Sequence, residues 1–299
     1  MNIAITGASG FLGRRLMKLL AARGHRLRVL SRHAGTDVPA GVELSVWDPL
    51  RGSAPGAALR EADAVVHLAG EPVAQRWTAA AKQRIYDSRV VGTRNLVAAL
   101  AKGSPRPPVL VSASAIGYYG SRDDEKLTED SPAGAGFLAG TCVAWEQEAV
   151  RAAASGVRVT RIRIGIALDP GGGALKPMLA PFRAALGGPL GSGQQWMSWI
   201  HIDDLAEMFR FALENVAPPV LNGVAPGPVT NADFTRALAG TLHRPAFLPA
   251  PKLALRVLFG EMAELLLASQ RVTPGVAQAA GFQFEYPELR AALADLLRP

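Results

Sequence analysis

A short apolar run, Ile3 to Ile5, leads straight into Thr6-Gly7-Ala8-Ser9-Gly10-Phe11-Leu12-Gly13, and a helix-like stretch follows from Arg14 to Arg23 with Leu16, Leu19 and Leu20 on one face. A strand, a glycine loop and a helix in that order constrain the fold more than any other feature of the 299 residues. Leaving a strand and entering a helix at once needs a tight turn, which Gly7 permits. Gly10 presents no side chain that would keep the backbone from a pyrophosphate. Gly13 lets the helix start lie close to the sheet. The free N–H groups of the first helical turn then face the anion, with the favourable end of the helix dipole behind them. The spacing is GxxGxxG and not the dehydrogenase GxGxxG. The place of the triplet, between a strand and an amphipathic helix, carries the reading.

The alternation continues. Strands are expected at Leu27–Leu30, Glu43–Val46, Ala64–Gly70, Val109–Ser114 and Val157–Ile164, with helices at Thr78–Leu100 and Phe137–Ala154 between them. At least six strands alternating with helices imply an α/β fold, a Rossmann-type doubly wound parallel sheet. The character changes after Leu168. A dinucleotide-binding domain is expected over residues 1–217, with 169–200 serving the substrate side. A smaller C-terminal domain is expected over 218–299, helical from about 249 to 297, as a substrate or cap domain. Thr230 or Asn231 is expected to cap a helix to Leu242.

In open α/β sheets ligands bind outside the carboxyl ends of the strands, so the strand ends are where chemistry is sought. The second strand ends at Ser31-Arg32, with no acid before Asp37. An acid there would select NAD through the ribose 2′-hydroxyl; an arginine accommodates a 2′-phosphate. NADP is therefore the expected cofactor, with Arg32 on the phosphate and Ser31 as a hydrogen-bond donor. Asp48, after the third strand, is placed near the adenine. Leu68, Ala69 and Gly70 let the backbone approach the cofactor, and Glu71 leaves the same strand end. His67, inside an apolar run, is read as a core histidine. Ser112 and Ser114 close the fifth strand, and Tyr118 and Tyr119 follow in a Gly-flanked loop. Ser114, Tyr118 and Tyr119 are the candidate catalytic groups. Lys82, Trp196, Trp199 and His201 are expected on the substrate side.

The charge balance is +7 with a pI near 10.0, yet the basic residues are dispersed. Without a lysine or arginine run, nucleic acid is not the expected partner. No uncharged run of about 18 apolar residues suggests a membrane span. The single cysteine, Cys142, excludes internal disulfides and CxxC metal sites, so no metal is expected, and a reducing, cytoplasmic setting fits. A strand starting at residue 2 leaves no room for a signal peptide. The expected partner is a small-molecule substrate; the oligomeric state is not legible.

Taken together, the TGASGFLG loop, Leu68-Ala69-Gly70, the helix with Val90-Val91-Gly92-Thr93-Arg94-Asn95-Leu96, and Ser112/Ser114 followed by Tyr119-Gly120 resemble the extended short-chain dehydrogenase/reductase family. The longer stretches LAGEPVAQRWT, SASAIGYYG, FLAGTCVAWEQEA and GGALKPMLAPFRAALGGPLGSGQQWMSWIHIDDL resemble an atypical, epimerase-like branch with a small C-terminal domain of unassigned function. The resemblance implies NAD(P) held by the 6–13 loop (Thr6, Ser9, Phe11 and Leu12 with the glycines), and it covers essentially the whole chain. It also implies a Tyr-x-x-x-Lys pair on the helix after the serine strand, and here the chain departs. Counting back from Glu146, the tyrosine position is Leu138 and the lysine position is Cys142. Arg89 stands where many relatives have asparagine, beside the cofactor. Two functions follow. One is an NADP-dependent oxidoreductase or epimerase-like enzyme with a rebuilt proton relay from Tyr118 or Tyr119, aided by Ser114 with Glu71 or Lys82 nearby, acting on a small carbonyl or sugar-nucleotide substrate. The other is an inactive NADP-binding regulatory protein, for example in cell division or redox sensing.

Overall fold

The structure, a computed structural model, describes residues 1–103 and 105–298. Seven parallel strands form the central sheet: β1 (Asn2–Thr6), β2 (Arg26–Ser31), β3 (Glu43–Val46), β4 (Ala64–His67), β5 (Val109–Ala115), β6 (Arg158–Ile164) and β7 (Val220–Gly223). Their order across the sheet is β7-β6-β5-β4-β1-β2-β3. All strands run the same way, but successive strands are added outward in opposite directions from β1 and β4, the switch point at which a crevice opens at their carboxyl ends. β1 shows how the sequence produces two buried faces. Ile3 and Ile5 pack on one side with Leu16 and Leu20 of α1 (Phe11–Ala22), while Ala4 packs on the other with Leu96 and Leu100 of α2 (Ala79–Lys102). Residues alternate faces along a strand, and a parallel sheet covered on both sides needs apolar residues at every position.

α2 begins where Thr78 accepts a hydrogen bond from Ala81 N, a cap visible in the sequence. α3 (Phe137–Val150) packs beside α2 and covers β5 and β6. The smaller lobe has its own core, in which Leu168, Leu175, Phe182, Trp199, Phe234, Leu238 and Leu293 meet. It is built from α4 (Leu175–Arg183), α6 (Asn231–Leu242) and α10 (Leu289–Leu296). α5 (Ile202–Glu214) returns to the sheet and packs on α1. α7 (Lys252–Phe259), α8 (Ala263–Leu267) and α9 (Gly275–Ala279) complete the chain. Among the described residues, no helix is long and apolar enough to cross a membrane.

Val220 to Gly223, in the stretch from Pro218 to Pro228 expected as a linker with a short strand, pair with Arg161 to Ile164 and make the seventh strand of the sheet. The second lobe also reaches back into the first. Arg271 and Val272 pair in parallel with Lys126 and Leu127, and Gln270 Nε2 donates to the carbonyls of Ile116 and Gly120 at 2.7 and 2.9 Å.

Candidate functional site

The crevice between β1 and β4 starts at Gly7. Its φ is +70°, and a Cβ there would lie 2.6 Å from the Leu68 carbonyl carbon, so the strand ends meet at a distance only glycine tolerates. A Cβ on Gly13 would lie 2.5 Å from Gly7 O, which seats the first turn of α1 directly on the loop. Gly10 is exposed at the N-cap of α1 and has no side chain to cap it, and the first turn holds no acid. The N-terminus of α1 is thus left for an external anion. Ser9 lends its carbonyl to the Arg14 guanidinium, Leu12 is buried, and Phe11 is half-buried with Gly172 of the second lobe against its ring.

Thr6 and His67 lock the two strand ends. Thr6 Oγ1 accepts from Leu68 N at 3.2 Å and from Ala69 N at 3.3 Å, and it lies 2.7 Å from His67 Nδ1. With both lone pairs used, the hydroxyl donates to Nδ1. His67 Nε2 then donates to Thr93 Oγ1 at 2.9 Å. The ring is fully buried, and burial pushes its pKa down to about 4, in keeping with a neutral imidazole. His67 is a structural brace.

At the end of β2, Ser31 Oγ lies 2.6 Å from Thr36 Oγ1 and accepts from His33 N, so the turn ties itself together and leaves Arg32 exposed with no carboxylate partner among the described residues. Asp48 Oδ1 accepts from Leu50 N, and its other oxygen pairs with Arg51 at 3.2 Å. Beyond β4, Arg89 closes on Gly70: a Cβ there would lie 3.2 Å from its guanidinium carbon. Arg89 Nη1 donates to the carbonyls of Glu71 and Ile85, and its charge sits 5.2 Å from the Trp145 ring. Glu71 is held by Gln75 and Arg84, and its N–H donates to Ser88 Oγ at 2.9 Å.

The three candidate catalytic residues come together around a fourth that the sequence reading passed over, Arg163. Ser114 Oγ donates to Glu146 Oε1 at 2.7 Å. Arg163 grips the same carboxylate through Nε at 2.8 Å and Nη2 at 3.0 Å, and Arg161 adds a contact at 3.2 Å. Arg163 Nη1 also donates to Tyr119 Oη at 2.9 Å, while Tyr119 donates to Asn222 Oδ1 at 2.7 Å. The guanidinium lies 3.5 Å from the Tyr118 ring centre. Burial opposes the charge of Arg163, but the Glu146 bonds outweigh it and its pKa is raised. Burial pushes the Tyr119 hydroxyl up to about 12. Glu129 extends the network by accepting from Asn222 N at 3.0 Å. A signal for this cluster did exist. Arg161 and Arg163 share one face of a strand that a helix must cover, and a buried arginine needs a carboxylate such as Glu146.

Leu138 and Cys142 face the turn after β5. A Cβ on Gly117 would lie 3.5 Å from Leu138 Cβ and 3.7 Å from Cys142 Sγ. Burial pushes the Cys142 thiol up to about 12, so it is uncharged at neutral pH. Leu138 and Cys142 therefore supply neither a group that exchanges a proton near neutral pH nor a cation.

The four residues expected on the substrate side separate. Lys82 forms an ion pair with Glu261 at 2.6 Å between the two lobes. Trp196 is half-buried, donates to Asp124 at 2.6 Å and lies under Arg271. Trp199 is fully buried in the second core and donates to Gly227 O, so it forms no pocket wall. His201 is buried at the N-cap of α5, accepts from Asp203 N at 3.1 Å and stacks on Tyr286 at 3.9 Å. An apolar-alternating strand that ends in an Asp-Asp helix start places both side chains inward.

Residues 3–222 match the model of the NAD dependent epimerase/dehydratase family, and residues 250–296 match a domain of unknown function (DUF1731). The chloroplastic epimerase family protein SDR39U1 homolog of Arabidopsis thaliana is 42% identical, over 100% of this chain and 87% of its own. The epimerase family protein YfhF of Bacillus subtilis is 38% identical over 99% of this chain and 98% of its own. Human epimerase family protein SDR39U1, crystallised with NADPH, superposes with a TM-score of 0.87 at 36% identity over 99% of both chains. The strand-end crevice, the glycine cradle and these likenesses along the full length lead to one assignment: the chain belongs to the NAD dependent epimerase/dehydratase family.

Proposed function

We propose that the chain is an NADPH-dependent oxidoreductase that reduces a small carbonyl substrate without the tyrosine–lysine relay of its wider family. The observation that carries this reading is the junction at Gly7, where β1, β4 and the uncapped start of α1 converge on one open anion site. Arg32, exposed beyond the tied turn of β2, suits the 2′-phosphate, and the human relative crystallised with NADPH supports the choice. When bound, the coenzyme supplies a hydride to the carbonyl carbon, and the carbonyl oxygen takes up one proton. The chain's part is to orient both partners and deliver that proton. Ser114 and Tyr119 already spend their protons on Glu146 and Asn222. Tyr118, half-buried and with no hydrogen-bond partner for its hydroxyl among the described residues, is the donor of choice.

The test is a screen of aldehydes, ketones and nucleotide sugars for loss of NADPH absorbance, followed by Tyr118→Phe. With the best substrate, that variant should lose about a hundredfold in turnover. Unchanged turnover rejects Tyr118 as donor. A second reading, an NADPH-binding regulator that does no chemistry, is favoured by the apolar pair Leu138 and Cys142 at the turn after β5. Tight NADPH binding with no turnover across the whole screen would select it.

A further inference from the structure

The second lobe carries an apolar face that no other described part of the chain covers. Two segments build it side by side. Leu248 N donates to Gly187 O at 3.2 Å, Ala250 N to Pro189 O at 2.9 Å and Gly191 N to Ala250 O at 2.9 Å. Leu186 belongs to the first segment; Phe247 and Leu248 belong to the second, which runs on into α7. On α7, Leu255 is buried and Phe259 packs on the cluster around Trp77, whereas Leu253, Val257 and Leu258 stand outward. Leu253 and Val257 lie one turn apart and so share a side of the helix. Leu186, Phe247, Leu248, Leu253, Val257 and Leu258 are 45–74% exposed. Single apolar residues are normal on a surface, but a contiguous group of this kind marks an interaction site.

The same two segments carry positive charge alone. No acidic residue occurs between Asp169 and Asp203 or between Asp233 and Glu261. Arg183, Arg244, Lys252 and Arg256 are exposed and have no carboxylate partner among the described residues. Arg76 of the first lobe adds a further exposed guanidinium beside Gly260, at the end of α7. Glu261, the first acid after α7, is held by Lys82 at 2.6 Å. An apolar face set among free cations is complementary to a surface that is anionic outside and apolar beneath. Binding at protein interfaces centres on Trp, Tyr and Arg, with Leu and Val under-represented among the residues that carry it. This face has one Phe and is otherwise Leu and Val, with Lys252 and Arg256 on the flank of the helix. That make-up matches a segment lying in the headgroup layer of a bilayer.

We propose that this face docks on an anionic lipid bilayer, with Phe247, Leu253, Val257 and Leu258 entering the interfacial layer and Arg244, Lys252 and Arg256 meeting the lipid phosphates. The attachment is peripheral, for no described helix is long and apolar enough to span. The test is flotation of the full-length chain with vesicles of phosphatidylcholine alone, and of phosphatidylcholine with about one third phosphatidylglycerol. The chain should float with the anionic vesicles. Its partition should fall at least about tenfold on the neutral vesicles, and as much on the anionic ones in about 0.5 M salt. Leu253→Glu combined with Val257→Glu should lower partition onto anionic vesicles at least about tenfold and leave NADPH affinity within about twofold. Lys252→Gln combined with Arg256→Gln, which keeps the apolar face intact, should also lower it at least about tenfold. All four positions are exposed, so the thermal melts of both variants should match the parent. No flotation with anionic vesicles, equal flotation with neutral ones, or variants that float like the parent would each overturn the proposal. Sedimentation of the chain without lipid tests the other occupants. A dimer that Leu253→Glu with Val257→Glu makes monomeric would assign the face to a second copy and overturn it. Binding of a polyglutamate peptide without vesicle flotation would assign it to an acidic protein and overturn it as well.

Discussion

Oγ1 of Thr6 stands 2.7 Å from Nδ1 of His67, and because this hydroxyl already accepts two backbone N–H groups, the imidazole must receive its proton and stay neutral. The folded pKa of His67, about 4, is below the ordinary 6.5. Between those values the unfolded chain binds a proton that the folded chain refuses. Stability from this site is therefore complete above pH 6.5 and drains away as the pH falls toward 4, by up to about 3 kcal/mol. Urea unfolding between pH 7.5 and 4.5 measures the slope. His67→Gln should begin less stable at pH 7.5 and lose less across the window. Parallel slopes for the two proteins would remove His67 as the source.

Gly7 and Gly10 separate the fold from the coenzyme. Gly7→Ala must hold an alanine at a φ of +70° against the Leu68 backbone, so it should lose more than about 1 kcal/mol of stability. Gly10→Ala meets only Gly7 O, at 3.3 Å, and should stay within about 0.5 kcal/mol of the parent. Its methyl group instead occupies the approach to the α1 N-terminus, and NADPH affinity should fall at least about tenfold. Coenzyme fluorescence titration beside thermal melts checks both. Full NADPH affinity in Gly10→Ala would move the phosphate site elsewhere.

The proposed place of Arg32 at the 2′-phosphate is tested by comparing the two nicotinamide coenzymes. The variant Arg32→Ala should weaken NADPH by about tenfold or more and NADH by less than about twofold, since only the former carries the 2′-phosphate. Equal weakening of both would refute the assignment.

Glu146 holds two arginines and a serine in a buried setting. Glu146→Ala should cost about 3–5 kcal/mol because it strands the Arg163 charge. Glu146→Leu combined with Arg163→Met should cost clearly less than Glu146→Ala, for the most deeply buried charge is then gone and only the more exposed Arg161 loses its carboxylate. Denaturant melts of the two proteins make the comparison. A double variant as unstable as the single one would mean that the tyrosine and Asn222 contacts dominate instead.

What was legible in the chain was local. The 6–13 loop, the cap at Thr78 and the α6 start at Thr230 all announce themselves within a few residues, through glycine geometry and capping oxygens. The parallel sheet followed from the alternation of apolar strands with helices. What stayed hidden was set by distant partners. The short strand between the prolines, β7, was readable as a strand, but not its place in the main sheet, which the open edge of β6 decides. Arg163 looks like one basic residue among three until Glu146 comes across from α3. Trp199 and His201 carry chemistry-bearing side chains, but burial against the second core settles their place, and no local pattern encodes which way that edge faces.

The bonds from Gln270 to Ile116 and Gly120 span about half the chain, 154 and 150 residues. On a translating ribosome the segment with the two tyrosines emerges early, yet its carbonyls wait for a donor that is synthesised on the order of ten seconds later. During that interval β1 to β5 can assemble while the tyrosine turn stays unlatched. Gln270 therefore finishes a piece of architecture begun about 150 residues earlier, and premature termination before it would release a nascent protein that lacks those two bonds to the turn.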